Sequence, residues 1–582
     1  MIYLIIPLLF VSVSWFTYDP INIVFSSVLL LLSVLSLVLQ RNYQYHKSVF
    51  LIAPLSLPLF YLVSGLQSSQ SMYSIFTGGY QRNFGVLTFF ALGIIFLEST
   101  KRQVNLNKFI SSLLVALIIA NIYGYMQIAG IDPLPWTGLH TGIILTLGNP
   151  NFAGAFLGIL SSVPLVKFFQ SKNFYTKCAF IVLFVSTVFL GLQSNALQSQ
   201  LLTLLGCLII IYILQINNQN KSGKIVRILT SGSILISVIF TSLLFSTNIF
   251  RDLKSQIFSQ SSIPQRLDYW RTGIQIFFDN PIFGVGPDEY HRYAAIFRTP
   301  QQLMRDGYMA IPDKAHNVFI DHFTNGGLLA GVLWLVFVLS VSYAGVRLIQ
   351  NIRNYDKFNL SIIISIWVTY IVQALISPDQ IILTVIGFVS GGIIVGKYLS
   401  GNKLNSTNYL VDKSATSMSR SFFGLVFILS LIFVGKTLWY DAQVNKIILG
   451  QLNDKPAIIS IINSNFASAK TVELIGVMKI REKADCSLIV DISERLLELD
   501  DRSSQAWYMK AICANQLKNF SNAEKYVENS LKFDPLNVNY LLGKAELEIF
   551  QMKKLNASNT LDKIRSINPS DPQLLQLQAL LK

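Results

Sequence analysis

The sequence predicts an all-α, polytopic membrane protein with about 13 transmembrane helices, a large external loop and a C-terminal helical repeat domain. Three observations carry this. First, 52% of the 582 residues are hydrophobic, only 13% are charged, and the mean hydropathy is +0.49; soluble chains carry about a quarter charged residues. Second, apolar runs of the length a hydrocarbon core of about 30 Å requires recur along residues 1–440. Third, the tail repeats itself at a spacing of 34 residues, with Ala557 under Ala523 and Pro569 under Pro535.

The apolar runs fall near 2–16, 22–40, 49–65, 84–98, 108–126, 151–169, 177–193, 198–215, 227–246, 327–349, 359–376, 380–398 and 421–439, the first and fourth being short. Met1 to Phe16 lacks a basic leading region and a small-residue cleavage site, so it reads as a retained first span. The even-numbered connections hold 18 basic residues, from Arg41 and Lys47 through to Lys413 and Arg420, whereas the short odd ones hold only Arg82. By the positive-inside rule the N-terminus is cytoplasmic, and both the loop 247–326 and residues 441–582 face outward. The net charge of +15 belongs to this topology signal. Residues 441–582 carry 18 Lys and Arg against 17 Asp and Glu, so no nucleic-acid partner is expected. The four cysteines, Cys178, Cys207, Cys486 and Cys513, show neither a disulfide framework nor metal-ligand spacing.

After a connecting segment at 441–469, residues 470–582 read as tetratricopeptide repeats. Trp507–Pro535 has the aromatic opening, the central Ala523 and the closing proline of one unit, a degraded copy starts near 470, and PQLLQLQALLK supplies a capping helix. Such helix pairs bury their apolar faces only by stacking. They bind peptides or proteins in many settings, and such a partner is expected here.

The polar chemistry gathers on one membrane face. Four of the five histidines, His140, His291, His316 and His322, are external, and the loop 247–326 balances eight basic against eight acidic residues. QRLDYWRTGIQIFFDNPIFGVGPDEY (265–290) opens as an amphipathic helix with Leu267, Trp270, Ile274 and Phe277 at helical spacing and Arg266 and Arg271 on its polar side; Gly284 and Gly286 then make a turn. KAHNVFIDHFTNGGLLAG (314–331) runs into the tenth span, which puts His316 at the membrane surface. GNPNFAGAFLG (148–158) caps the sixth span with its Asn and Pro. Span interiors carry almost no ionisable residues, which weighs against an ion-coupled carrier.

The order of these pieces resembles the O-antigen ligase and polymerase family: many spans, YQRNFG, NPNFAGAFL, R-x-x-x-W before DNPIFGVG, then HNVFIDHFTNGGLLAG entering a helix. The resemblance covers residues 70–400, strongest at 264–331. His316, Asn317 and Gly327 match the ligase histidine motif, while Ala330 stands where ligases carry Gly, Thr or Tyr; polymerases and protein glycosyltransferases share the broader pattern. The resemblance implies a plasma-membrane enzyme of cell-surface polysaccharide biosynthesis. It would move a glycan from undecaprenyl pyrophosphate to the hydroxyl of a glycolipid, glycan or protein, with inversion and without a metal or other cofactor. His316 would be the base. Arg266 would act with it, and Arg82, Arg271, Asn317 and Trp270 would bind substrate, since the planar guanidinium fits phosphate oxygens. Asp321 is a candidate to orient a histidine, and His322 is expected to pack inside the helix. The alternatives are a protein O-oligosaccharyltransferase and, in a different class, a transporter of small solutes or inorganic carbon. A membrane anchor for the repeats is disfavoured because thirteen spans exceed what an anchor needs.

Overall fold

The computed structural model describes residues 2–40, 44–46, 48–134, 136, 142–216, 263–308, 310–351, 356–401, 409–411 and 416–581. With no water in a bilayer core, each spanning backbone must satisfy its own polar groups, and helices dominate accordingly. The membrane part holds α1 (Ile2–Val11), α2 (Asn22–Val38), α3 (Ile52–Gln67), a short α4 (Met72–Thr77), α5 (Val86–Ser99), α6 (Leu106–Ile128), α7 (Pro150–Leu160), α8 (Ser162–Gln170), α9 (Phe174–Gln193) and α10 (Leu197–Gln215). The loop contributes α11 (Ile263–Asp279), α12 (Tyr290–Ala294) and α13 (Pro300–Asp306). Four helices follow: α14 (Val318–Gln350), α15 (Lys357–Ile376), α16 (Ile381–Gly401) and α17 (Thr416–Ile448). Nine helices among the described residues are long and apolar enough to cross a membrane; α1, α2 and α5 are shorter apolar helices. The span expected at 227–246, together with His140, lies outside the described residues. Gln44–His46 pairs antiparallel with Tyr409–Val411, a three-residue contact between two connections.

Two helices outrun their expected spans. The tenth span begins at Val318 instead of 327, because Asn317 caps it: its Oδ1 accepts from the amides of Phe319 and Ile320. The last helix continues to Ile448, since Tyr440, Val444 and Ile447 leave the lipid-facing run and enter the core of the repeat stack. The expected caps of the sixth span hold, with Asn149 as N-cap and Pro150 in the first turn. The bundle packs closely through small residues. A Cβ on Gly392 would meet the Phe96 carbonyl oxygen at 2.6 Å, so α16 lies directly on α5. Trp334, Phe337, Trp367, Tyr370 and Phe388 fill the space between α14, α15 and α16, with Phe337 and Phe388 centroids 4.8 Å apart.

Beyond the membrane part the chain forms α18 (Lys455–Ile462) and then helix pairs: α19 (Ala469–Arg481) with α20 (Cys486–Leu499), α21 (Ser504–Gln516) with α22 (Phe520–Phe533), and α23 (Val538–Phe550) with α24 (Lys554–Ile567), closed by α25 (Pro572–Leu581). The second helices begin at Cys486, Phe520 and Lys554, a spacing of 34 residues each time. The segment 441–469 is helical over much of its length and its Ile458, Ile461 and Ile462 are buried in the same core as the first pair.

Candidate functional site

The site is assembled where the turn after α11 meets a break in α14. Gly327 has φ 65° and ψ −164° inside that helix, which interrupts its hydrogen-bond ladder. The turn 281–286 fills the interruption. The Val285 amide donates to the Thr324 carbonyl (3.0 Å), the Gly286 amide to the Asn325 carbonyl (2.9 Å), and the Leu328 amide to the Pro281 carbonyl (2.8 Å). The backbones approach so closely that a Cβ on Gly284 would sit 2.5 Å from the Gly327 nitrogen, and both glycines need positive φ. Two motifs that lie some forty residues apart are thus one structural unit.

Next to that turn, Asp288 joins three loops. Its Oδ2 accepts from the amides of Gly79 (3.1 Å) and Phe84 (2.8 Å), which bracket the Arg82 turn, and its Oδ1 pairs with Lys314 Nζ at 2.8 Å. Both side chains are buried, and the Lys314 ammonium lies 4.8 Å from the centroid of Phe84. Gln81 and Asn83 on either side of Arg82, Asp288 itself and His316 all adopt positive φ. Non-glycine residues hold that conformation only where surrounding structure imposes it, and such positions cluster at functional sites.

Arg82 Nε pairs with Asp313 Oδ2 at 2.5 Å, and its guanidinium lies over Phe152. That pair runs through Nε, so the two terminal nitrogens of Arg82 lie outside it. His316 packs against Tyr269 of α11 with ring centroids 5.3 Å apart. Burial pulls the His316 imidazole down to about 4; Asp313 opposes this, while the positive charges of Arg82, Arg266 and Lys314 reinforce it. At neutral pH the ring is uncharged. Asp313 is held well below the usual carboxylate range: burial would raise it, but the Arg82 guanidinium outweighs that.

Arg266, in the first turn of α11, makes no ion pair among the described residues, and its buried Nε has no hydrogen-bond partner. Burial alone lowers its basicity. A half-buried guanidinium whose Nε has no hydrogen-bond partner among the described residues carries a desolvation cost. The charges of Arg82 and Arg266 both act on His316. Trp270 is half-buried on α11. Arg271 lies on that helix's exposed side, away from the face that buries Tyr269, Thr272 and Ile276. The Asn317 carboxamide oxygen caps α14.

Behind His316 lies a small chamber that the sequence did not reveal. Tyr61, Phe84, Phe89, Asp288, Lys314, Asp321, His322, Asn325 and Asp379 line it, and it has room for about one water. Asp321 Oδ1 accepts from the Ala315 amide instead of orienting a histidine; its Oδ2 is unpartnered. His322 does pack, stacked on Trp334 with centroids 4.3 Å apart and with Nδ1 2.7 Å from the Tyr61 hydroxyl. Its Nε2 and Asn325 Oδ1 are buried without hydrogen-bond partners among the described residues. Burial pushes Asp379 up to about 6 against the pull of Lys314. The expectation of almost no ionisable residues within spans needs amending: Asp321 and His322 occupy the first turns of α14, at one end of the bundle and not midway through it. Among the described residues no three His, Cys, Asp or Glu side chains converge as a metal cage.

No curated protein matches this chain. A family model does: residues 179–335, which include Arg266, Trp270, Arg271, His316, Asn317 and the Gly327 break, match the model described as O-Antigen ligase, and over that stretch the chain is similar to that family.

Proposed function

We propose that the protein is an inverting transferase that moves a glycan from undecaprenyl pyrophosphate to an acceptor hydroxyl at the external membrane surface. The observation that carries this is Arg266, a half-buried guanidinium that makes no ion pair among the described residues and whose charge acts on His316. The similarity to O-Antigen ligase over 179–335 supports it. In the step, the acceptor oxygen forms a bond to the anomeric carbon while the bond from that carbon to the phosphate oxygen breaks. The acceptor proton passes to His316, and the electron pair leaves with the pyrophosphate. Arg266 and the terminal nitrogens of Arg82 hold the developing charge in a poorly hydrated site, where such contacts count most.

The same arrangement couples the base to the donor. Burial depresses His316 most, Asp313 opposes it, and the positive charges of Arg82, Arg266 and Lys314 add to the depression. A bound pyrophosphate would offset the share contributed by those three cations and so move the imidazole upward, the direction a general base at neutral pH needs.

A second reading, ion-coupled transport of a small anion, draws on the buried Lys314, Asp288, Asp321 and Asp379. Their position at one end of the bundle favours the transferase. Proteoliposomes charged with undecaprenyl-pyrophosphate-linked oligosaccharide and an acceptor glycolipid test the two. The transferase releases undecaprenyl pyrophosphate in step with acceptor modification, and Arg266→Ala abolishes both. Solute uptake without release of the carrier would support the second reading. The repeat stack, read as tetratricopeptide units, would then lie on the outer face with the site.

A further inference from the structure

The repeat domain has its own ligand in the structure, and it is the external loop of the same chain. The contacts follow the repeat register. Asp500 and Asp534 end the second helices of successive pairs, 34 residues apart, and each meets an arginine from the segment α12–α13. Arg292 pairs through Nε with Asp500 (2.5 Å), through Nη2 with Asp501 (2.8 Å) and through Nη1 with Glu289 (3.0 Å). Arg298 pairs with Asp534, both within 1% of complete burial. One step further along, Leu303 of α13 enters the core formed by Leu541, Leu542, Leu561 and Ile564 of the last pair. Arg502 adds a cation–π contact with Tyr293, 4.3 Å from its centroid.

The docked segment is continuous with the site. Glu289, which Arg292 grips, also accepts from Gln70 Nε2 (2.6 Å), and the same nitrogen donates to the Pro287 carbonyl (3.0 Å). Glu289 directly follows Asp288, the carboxylate that ties the Arg82 turn to the His316 loop. On the other side Tyr80 donates to Asp441 near the end of α17, the helix that leads into the stack. Breaking a buried charged pair is far costlier than breaking a surface one, so these contacts hold the docked state firmly.

We propose that the repeat stack is an internal clamp: by binding the loop segment 289–303 through Asp500, Asp534 and the pocket around Leu303, it sets Asp288 and thereby the relative placement of Arg82 and His316. Arg292 and Arg298 are positioning residues in this account. The inference rests on the transferase reading for its activity assay, and a second readout is independent of that reading.

The test uses full-length protein. Arg292→Ala should lower the turnover of glycan transfer about 100-fold with little change in the donor KM, because misplacement of catalytic groups by about 1 Å costs that much. Arg292→Lys, which keeps charge and loses the fork, should fall between the two. Ser69 Oγ lies 3.0 Å from Asp501 Oδ1, across the same interface. A Ser69→Cys/Asp501→Cys pair added to Arg292→Ala, in a Cys486→Ser background, should form a disulfide, restore turnover and lose it again on reduction. Limited proteolysis within residues 289–308 should follow the same pattern: protected in wild type, cut in Arg292→Ala, protected again when oxidised. Wild-type turnover and protection in Arg292→Ala would overturn the clamp, as would a disulfide that fails to form or that forms without restoring either property. Protease protection that tracks docking in a wild type with no transferase activity would retain the clamp and remove the transferase reading instead.

Discussion

Gly327→Ala is the substitution from which the structure extracts the largest and most specific consequence. Alanine at φ 65° and ψ −164°, a region essentially reserved for glycine, costs about 1–3 kcal/mol of backbone strain. The added Cβ would also land on the Ile282 carbonyl oxygen, so the turn 281–286 must move away. Its three hydrogen bonds to the broken helix, from the amides of Val285, Gly286 and Leu328, would be lost together at about 1 kcal/mol each. The sum is about 4–6 kcal/mol, a large share of the margin that keeps a protein folded. Because Asp288 follows the same turn, transfer activity should fall even in the fraction that stays folded. The assay is thermal denaturation of the detergent-solubilised protein by tryptophan fluorescence, paired with the transfer rate. Gly435→Ala is the control, since its Cβ would meet nothing within 4 Å and α17 is continuous there; it should melt at or slightly above wild type. Gly327→Ala melting together with that control and transferring at the wild-type rate would refute the break-and-plug reasoning.

Three further outcomes follow from the site. Asp288→Asn leaves the Lys314 ammonium buried without its pair and should cost about 3–5 kcal/mol of stability, read from the same melts; a change under about 1 kcal/mol would show that the pair is not structural. The pH profile of kcat/KM, which reports the free enzyme, should stay flat down to about pH 5 because His316 is depressed to about 4; kcat, which reports the donor-bound enzyme, should decline at a higher pH as the rate falls with protonation of the base. Equal apparent values near 6.5 in both profiles would contradict the coupling of base to donor. Folding carries the same sign: the unfolded chain binds a proton on His316 below about pH 6.5 that the native state refuses until about pH 4, so stability should drop across that window, less steeply in His316→Gln.

Much of this organisation was legible in the chain because it rests on local signals. Hydropathy marks the helices, and the 34-residue register marks the helix pairs. Arg82, Arg266 and His316 stand out in the sequence as charged or titratable groups in polar connections, and in the structure both arginine charges act on His316. The rest depends on contacts that no local pattern encodes. Asp288 is one acid among several in a polar loop, and only its position between Gly79, Phe84 and Lys314 gives it weight. The break at Gly327 is hidden within an apolar run, since glycine at a helix crossing and glycine at a helix interruption look alike in sequence. Asp379 sits in a four-residue connection, where a carboxylate is ordinarily solvated, yet here it is buried beside Lys314. The pairing of Arg292 with Asp500 spans 208 residues. Its sequence signal is faint: acids recurring at equivalent repeat positions, Asp500 and Asp534, and arginines in a loop otherwise balanced in charge.

At the centre of the proposal are Arg266 as the cation for a departing pyrophosphate and His316 as the base. The most direct measurement is single-turnover glycan transfer from undecaprenyl pyrophosphate by purified, reconstituted wild type, Arg266→Ala, Arg266→Lys and His316→Ala, with folding of each checked by its melt. The account predicts normal melts, loss of transfer by at least about 100-fold in both alanine variants, and poor rescue by lysine, which lacks the planar fork. Wild-type transfer by Arg266→Ala or by His316→Ala would contradict it.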